Sequence, residues 1–128
     1  LKSTDAGRVS SPGRVSGSCA SEQSIVQWQP GCNDVKCEDT TGFADAIALA
    51  SSAEITIVML GLDQSLESEG MDRSQIELPE GQQQLVTALR SVTSGRPLIG
   101  VLVHGGAIAL QAAESELDVI LDAWYPGL

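Results

Sequence analysis

The pattern of hydrophobic and polar positions becomes regular at Gly42 and predicts an amphipathic helix there. Between Gly42 and Ser52, apolar residues recur at intervals of three and four, namely Phe43, Ala46, Ile47 and Ala50. This spacing places them on one face of an α-helix, which we expect to end near Ser52. Thr40 or Thr41 could cap its first turn, because threonine hydroxyls accept hydrogen bonds from the free amides at helix starts.

Continuous apolar runs further along the chain predict buried strands. Such runs cover Ile55–Leu60, Leu98–Val103 and Val119–Ala123. Runs rich in β-branched residues and without polar alternation are typical of a sheet that is covered on both faces. We therefore expect Ile55–Leu60 to be a central strand with both faces buried.

Helical spacing returns between these runs. Pro79 and Glu80 open a helix, and Gly95 lies just beyond its end. The residues that share one face of this helix are Leu85, Leu89 and Val92. A shorter helix is expected over Ala107–Glu114. The alternation of helix and strand predicts an α/β fold, with a mainly parallel sheet flanked by helices in a three-layer α/β sandwich.

The first residues of the chain do not share this pattern. Residues 1–24 are rich in Ser, Gly and Arg, which predicts a linker or disordered lead, so that residues 25–128 form the domain. The chain begins at Leu1 rather than Met and stops directly after an apolar segment. We therefore expect the domain to be truncated and the chain to be a fragment of a longer protein.

Length and charge narrow the classes of partner. A chain of 128 residues has room for one domain, and its formal net charge of −10 repels nucleic acid phosphates and anionic membrane surfaces. No apolar run is long enough to span a membrane, and no segment resembles a signal peptide. We expect neutral or cationic ligands, and neither nucleic acid nor membrane as partners.

The cysteines leave two interpretations open. Cys32 and Cys37 form a C-x4-C pair, while Cys19 stands alone. A structural zinc site would need a second pair or several histidines, and the only histidine, His104, is distant, so we expect no metal. Cys32 and Cys37 are then either a local disulfide, which would indicate an oxidising compartment, or two free thiols.

Candidate chemistry lies directly after the first predicted strand. The segment Gly61–Arg73 contains four acids and one base, and the His104–Gly106 turn and the Trp124–Gly127 segment follow the other two predicted strands. Because the carboxyl ends of parallel strands meet at one edge of a sheet, these loops should converge. Each also has a plainer interpretation: solvated loop acids, a polar turn histidine without a partner, and aromatic residues that are either core edge or a stacking surface for a sugar ring. No nucleotide-binding or serine-hydrolase motif is present.

Together, these motifs resemble a known family. The segment GLDQSLESEGMDRSQIELP, followed by Gln82–Gln84, is similar to the C-terminal α/β sandwich domain of glycoside hydrolase family 3, particularly that of plant-type β-xylosidases. The similarity extends upstream to Pro30–Cys32 with Cys37, and downstream to Gly105-Gly106 and Tyr125–Gly127. The chain departs from the family pattern where it has His104-Gly105-Gly106-Ala107 for S-G-G-P and Asp122–Gly127 for W-x-G-Y-P-G.

The resemblance implies a retaining hydrolysis of β-glycosides by two carboxyl groups, without a cofactor. Glu69 aligns with the general acid/base, and Glu67 is the runner-up. The Asp nucleophile belongs to an N-terminal (β/α)8 barrel that this chain lacks, so the chain alone should be inactive. Asp72 and Arg73 are expected to pair and hold the loop. The implied partners are that barrel and an oligosaccharide substrate, and the implied parent protein is secreted.

Two other classes of function remain open at this point. The chain could be a non-catalytic sugar-binding or structural α/β module. It could also be a flavodoxin-like or receiver-like domain whose acids hold a metal ion, although it lacks the early acidic pair and the downstream lysine of receivers.

Overall fold

The structure, a computed structural model, describes residues 13–19, 22–70 and 73–125. Its elements in chain order are β1 (Gly13–Cys19), β2 (Glu22–Trp28), α1 (Phe43–Ser52), β3 (Thr56–Gly61), α2 (Glu80–Val92), β4 (Leu98–Val103), α3 (Ala112–Glu116) and β5 (Val119–Asp122). The alternation from α1 to β5 confirms the predicted α/β fold. Of the residues that the sequence singled out, Asp72, Pro126 and Gly127 lie outside the described ranges.

The strands β3, β4 and β5 form a parallel sheet in that order. Thr56 to Gly61 pair with Leu98 to Val103, and Ile99 to Leu102 pair with Val119 to Asp122. All three strands therefore end at the same edge of the sheet, as the sequence predicted. That edge carries the loops discussed below.

One face of this sheet is covered by helices. Side chains alternate between the two faces of a strand, so Val58 and Leu60 of β3 share a face with Leu98 and Leu102 of β4. These four residues are buried in one cluster with residues of all three helices: Ala50 of α1, Leu85, Val86 and Leu89 of α2, and Ala113 of α3. The predicted apolar face of α2 is thus the face that packs on the sheet.

The opposite face of the sheet is apolar and open in the part of the chain that the structure describes. Ile57 and Met59 on β3 are 61% and 63% exposed, and Val119 and Leu121 on β5 share their face and are also exposed. The expectation that β3 is a central strand buried on both faces is therefore wrong for the described residues, because β3 lies at the edge of the three-stranded sheet and one of its faces is open. The apolar run on which the expectation was based is present in β3, but the described residues cover only one face of the sheet.

The start of α1 and the position of α3 differ from the sequence prediction. Gly42, without a side-chain cap, precedes α1, so neither Thr40 nor Thr41 caps it. The short helix begins at Ala112 rather than Ala107, because the preceding residues pair with another segment. Ala109 exchanges backbone hydrogen bonds with Ile76 and Leu78 on either side of a bridge to Glu77, and an extended bridge is incompatible with a helix.

The amino-terminal part of the described chain also differs from the prediction. Residues 1–24 were expected to be a linker or disordered lead, yet β1 and β2 form an antiparallel hairpin in which Gly13 pairs with Trp28 and Cys19 with Glu22. A backbone ladder of this kind does not need an apolar face, so composition does not reveal it. The expected division at residue 25 stays a prediction.

Candidate active site

Three loops from the carboxyl edge of the sheet meet at one carboxylate. β3 ends at Gly61, β4 at Val103 and β5 at Asp122, and the loop after each contributes to the contact. The carboxylate belongs to Glu67, in the loop after β3. Its partners lie 38 to 58 residues away along the chain, so only the fold brings them together.

The loop after β3 begins with a turn built by Asp63. Its Oδ1 accepts hydrogen bonds from the Ser65 amide at 2.8 Å and the Ser65 hydroxyl at 2.6 Å, and its backbone carbonyl accepts from the Leu66 and Glu67 amides. Aspartate favours such turns because its short side chain reaches the amide two residues ahead. Hydrogen bonds from Ser65 hold the pKa of Asp63 below its usual value. The D-Q-S motif thus directs the chain so that Glu67 faces the other loops.

The Glu67 carboxylate accepts three hydrogen bonds. Oε1 accepts from the Gly105 amide at 2.7 Å and from the Tyr125 hydroxyl at 2.5 Å, while Oε2 accepts from the Gly106 amide at 3.1 Å. Burial opposes ionisation, but the hydrogen bonds from Tyr125, Gly105 and Gly106 and the charge of Arg73 outweigh it, so the pKa of Glu67 lies below its ordinary value. Glu67 is therefore ionised at neutral pH.

The two glycines allow the close approach of Glu67 and Tyr125. A Cβ at Gly105 would lie 2.5 Å from Cε2 of Tyr125, and a Cβ at Gly106 would lie 2.7 Å from Oε2 of Glu67. The G-G pair therefore leaves room for a carboxylate. Burial of the hydroxyl, together with the hydrogen bond to Glu67 and the charge of Glu67, raises the pKa of Tyr125 to about 12.

The His104 side chain stabilises the His104–Gly106 turn. It has partners, whereas the plainer interpretation of the sequence was a turn histidine without a partner. The side chain is 3% exposed. Nδ1 lies 2.6 Å from the carbonyl oxygen of Gly106, which can only accept, so Nδ1 donates. Nε2 lies 3.2 Å from Oδ1 of Asp122, at an ion-pair distance but without hydrogen-bond alignment. The Trp124 ring packs on the imidazole with its centroid 5.1 Å away.

The two aromatic residues at this edge are not core residues. Trp124 is 53% exposed and Tyr125 43% exposed, although each makes the specific contact described above. Trp124 has φ 53°, a left-handed conformation that side chains rarely adopt.

Glu69 lies two residues after Glu67 and is in a different environment. It is exposed, and none of the described residues donates a hydrogen bond to its carboxylate. Gly70, which follows it, has φ 81°, and apart from its chain neighbours no atom of the described residues lies within 4 Å of the position a Cβ would take. Glu67 and Glu69 therefore share a loop, but within the described ranges only Glu67 makes hydrogen bonds to the neighbouring loops.

Arg73 closes this loop through backbone contacts. Its guanidinium donates to the carbonyl oxygen of Glu77 at 2.6 Å and to that of Ala107 at 3.5 Å. The predicted pair of Asp72 and Arg73 stays a prediction, since Asp72 lies outside the described residues. The observed contacts bind the end of the loop to the segments that flank the extended bridge.

Gln82 anchors the base of the loop, a role that the sequence did not reveal. The side chain is buried; its Oε1 accepts from the Gly61 amide at 2.9 Å, and its Nε2 donates to the Gly61 carbonyl at 2.8 Å and to the Val35 carbonyl at 2.5 Å. The amide thus acts as one residue of a neighbouring strand at the edge of β3. Gly61 has φ 149°, and any Cβ there would collide with the Val103 carbonyl.

Cys32 and Cys37 form a disulfide with their Cα atoms 4.9 Å apart. Cys37 is buried, has φ 57°, and its amide donates to Asp34. The disulfide closes a short loop that packs against the start of α2, where a Cβ at Gly81 would collide with the Cys37 carbonyl. The loop therefore supports the helix that carries Gln82.

Two cavities lie beside the candidate site rather than at it. One of about 570 Å³ follows the edge of β3 and is lined mainly by apolar residues of β2, α1 and β3. The other, of about 920 Å³, lies between the disulfide loop, Arg73 and the start of α2. Neither is lined by Glu67 or Glu69. Within the described ranges, no cluster of three or more metal-binding side chains occurs, and no helix has the length and apolar character of a membrane span.

A family model and two known proteins match this chain over most of its length. The family model for the glycosyl hydrolase family 3 C-terminal domain matches residues 4–128. Probable beta-D-xylosidase 6 from Arabidopsis thaliana is 40% identical over 104 residues, 80% of this chain and 13% of its own length. Beta-D-xylosidase 1 from the same plant is 42% identical over 101 residues, 77% of this chain and 13% of its own length.

A solved structure shows the same fold at a lower identity. It is a GH3 exo-beta-xylosidase (XlnD) in complex with a xylobiose aziridine activity-based probe, 31% identical to this chain with a TM-score of 0.57. The similarity covers 63% of this chain and 10% of that protein. The chain thus spans about an eighth of the length of the curated relatives described above.

Proposed function

The chain belongs to glycosyl hydrolase family 3, as part of its C-terminal domain, and from this we propose that it supplies the general acid/base of a retaining β-glycosidase through Glu69. The Asp nucleophile would come from an N-terminal (β/α)8 barrel of the same protein. The carboxyl edge of the sheet would face that barrel, with the two carboxyl groups about 5 to 5.5 Å apart as retaining glycosidases require.

The observation that supports Glu69 is the contrast between the two glutamates of the loop. A general acid must carry a proton to the leaving oxygen and later take one from water, so its carboxyl group has to be accessible and able to change charge. Glu67 is tied by three donors that stabilise its charged form. Glu69 is exposed in the same loop and precedes Gly70, whose Cβ position has no non-neighbouring atom of the described residues within 4 Å.

The names of the relatives support a proposal for the substrate class. Those described above are named as β-D-xylosidases, and we propose β-xylosidic oligosaccharides as substrates of the parent protein. We further propose α-L-arabinofuranosidase or β-glucosidase activity for the same chemistry, because relatives with these activities in their names also match this chain. The disulfide between Cys32 and Cys37 favours a secreted parent protein, because disulfides persist in oxidising compartments.

The test uses the full-length protein that carries this chain. Glu69→Gln should strongly reduce hydrolysis of xylobiose, whose leaving group needs protonation, and reduce release of an activated nitrophenol much less. Azide should restore turnover of the activated substrate, because this anion attacks the glycosyl carbon without help from a base and displaces the enzyme carboxylate. Glu80→Gln, an exposed change on α2, serves as the control.

Three results would contradict the proposal. Unchanged xylobiose hydrolysis by the Glu69→Gln protein would remove the role of Glu69. Hydrolysis of a nitrophenyl xyloside by the 128-residue chain alone, abolished by the same substitution, would contradict the division of the two carboxyl groups between domains. Binding of xylo-oligosaccharides without turnover by the full-length protein would favour the non-catalytic module.

A further inference from the structure

The contacts of the Glu67 carboxylate suit a residue that holds loops together, which we call a clamp, rather than a proton donor. We infer that Glu67 is a positioning residue: its carboxylate fixes the loop that carries Glu69 against the loops after β4 and β5, and it takes no part in proton transfer. The consequence for Glu69 rests on the proposed function, whereas the clamp itself rests on geometry alone.

Both oxygens of Glu67 are committed to contacts between loops. The amides of Gly105 and Gly106 point to the same carboxylate, one to each oxygen, and the Tyr125 hydroxyl adds a second donor to Oε1. Adjacent amides that converge in this way form a small anion-binding concavity. Here the anion is a side chain of the protein, so the concavity is occupied from within.

The concavity is held in shape by residues that do not touch Glu67. His104 is buried and donates through Nδ1 to the Gly106 carbonyl, which fixes the orientation of the turn. Asp122 and the Trp124 ring contact the same imidazole. The His104–Gly106 turn is therefore held in place by residues of β5 and of the loop after it, as well as by Glu67 from the loop after β3.

The clamp lies between two other anchors of the same loop. Asp63 fixes the beginning of the loop through Ser65, and Arg73 fixes its end at the Glu77 carbonyl. Glu67 ties the middle of the loop across to β4 and β5. Because Glu69 is two residues away, removal of the clamp should let Glu69 drift from its working position rather than remove a proton.

A spectroscopic test is available because Tyr125 is the only tyrosine of the chain. Absorbance at the tyrosinate band therefore reports the Tyr125 hydroxyl, and in the unmodified 128-residue chain the group should ionise near pH 12. Glu67→Gln removes the neighbouring charge and should move the midpoint toward the ordinary value of 10.0. Glu69→Gln, the same chemical change two residues away, should leave it in place.

Circular dichroism at each pH shows whether the chain is still folded during the tyrosine titration. A second measurement at neutral pH tests the clamp even if the chain unfolds in alkali. At neutral pH, the NMR amide proton signals of Gly105 and Gly106 should shift in the Glu67→Gln chain, because one charged acceptor is lost, and stay in place in the Glu69→Gln chain. Tyrosine ionisation or glycine signals that are the same in the Glu67→Gln and unmodified chains would overturn the clamp.

Kinetics of the full-length protein separate positioning from proton transfer. Misplacement of a catalytic group by about 1 Å can cost about 100-fold in rate, so Glu67→Gln should lower turnover of activated and unactivated substrates by similar factors, without rescue by azide. A selective loss on xylobiose with azide rescue in this variant would identify Glu67 as the proton donor and overturn the inference. If the full-length protein hydrolyses no glycoside, the proposed function fails, and the Tyr125 and glycine readouts still decide the clamp.

Discussion

Replacement of Gln82 by Met should destabilise the chain more than the matched replacement of Gln84 by Met on the same helix. The two side chains have similar volumes, so the substitution removes hydrogen bonds and leaves little cavity. Gln82 makes three such bonds, two of them to the buried Gly61 and one to Val35. The amide and carbonyl of Gly61 would then lack partners at the edge of β3.

The expected loss follows from these contacts. A hydrogen bond contributes about 1 kcal/mol net, and a buried group left unpaired costs about 1 to 3 kcal/mol. We therefore expect Gln82→Met to lower the free energy of unfolding by about 3 kcal/mol, a large part of the stability of a small domain.

The assay is equilibrium urea unfolding of the 128-residue chain, followed by far-ultraviolet circular dichroism, with the midpoint and slope fitted separately. Gln84→Met is the matched control, because Gln84 is exposed on the same helix and makes a single side-chain bond to Glu80. The control should change the unfolding free energy by less than about 0.5 kcal/mol. A loss below about 1 kcal/mol for Gln82→Met at an unchanged slope would refute the reasoning.

Three further predictions concern the site and the disulfide. Gly106→Ala places a Cβ 2.7 Å from Oε2 of Glu67 and should open the clamp, lowering stability by about 1 to 3 kcal/mol in urea unfolding; a variant as stable as the unmodified chain would show that the turn can yield. Because the pKa of Glu67 is lowered in the folded chain, its contribution to stability is fully present above the ordinary value of 4.5 and is lost as pH falls through the folded value. Urea midpoints should therefore drop less steeply in acid for Glu67→Gln than for the unmodified chain. Parallel curves of midpoint against pH would contradict this. Changing both Cys32 and Cys37 to Ser should lower the free energy of unfolding by about 2 kcal/mol, as expected for a short closed loop. A reducing agent should then have no further effect on the melting temperature of the double variant. If reduction lowered the melting temperature of the double variant as much as that of the unmodified chain, the stabilisation would not come from this disulfide.

Some features of the site were readable in the sequence because they depend on local spacing. The strand ends and the convergence of the three loops follow from hydrophobic runs and from the rule for parallel sheets. The acidic loop and its resemblance to a glycosidase motif drew attention to Glu67 and Glu69. Their different environments were not readable, because the partners of Glu67 are held by other strands.

The same limit applies to residues whose contacts the sequence did not reveal. Gln82, Gln83 and Gln84 are identical in type and adjacent, yet only the orientation of α2 against β3 decides that Gln82 is buried. Within its own segment His104 contacts only the Gly106 carbonyl among the described residues, and it gains Asp122 and Trp124 from the neighbouring strand end. The G-G pair after β4 was a possible signal, since adjacent glycines suggest a close approach to the backbone.

The sequence by itself determined the α/β class, the order of helix and strand, and the edge of the sheet at which chemistry can occur. These follow from periodicity, because burial of a helix face or a strand repeats at fixed intervals along the chain. The tertiary structure alone decided that Glu67 is clamped and Glu69 exposed, and that the described residues cover one face of the sheet. Such outcomes depend on contacts between segments far apart in the chain, and a hydrogen bond over 58 residues leaves no local period to recognise.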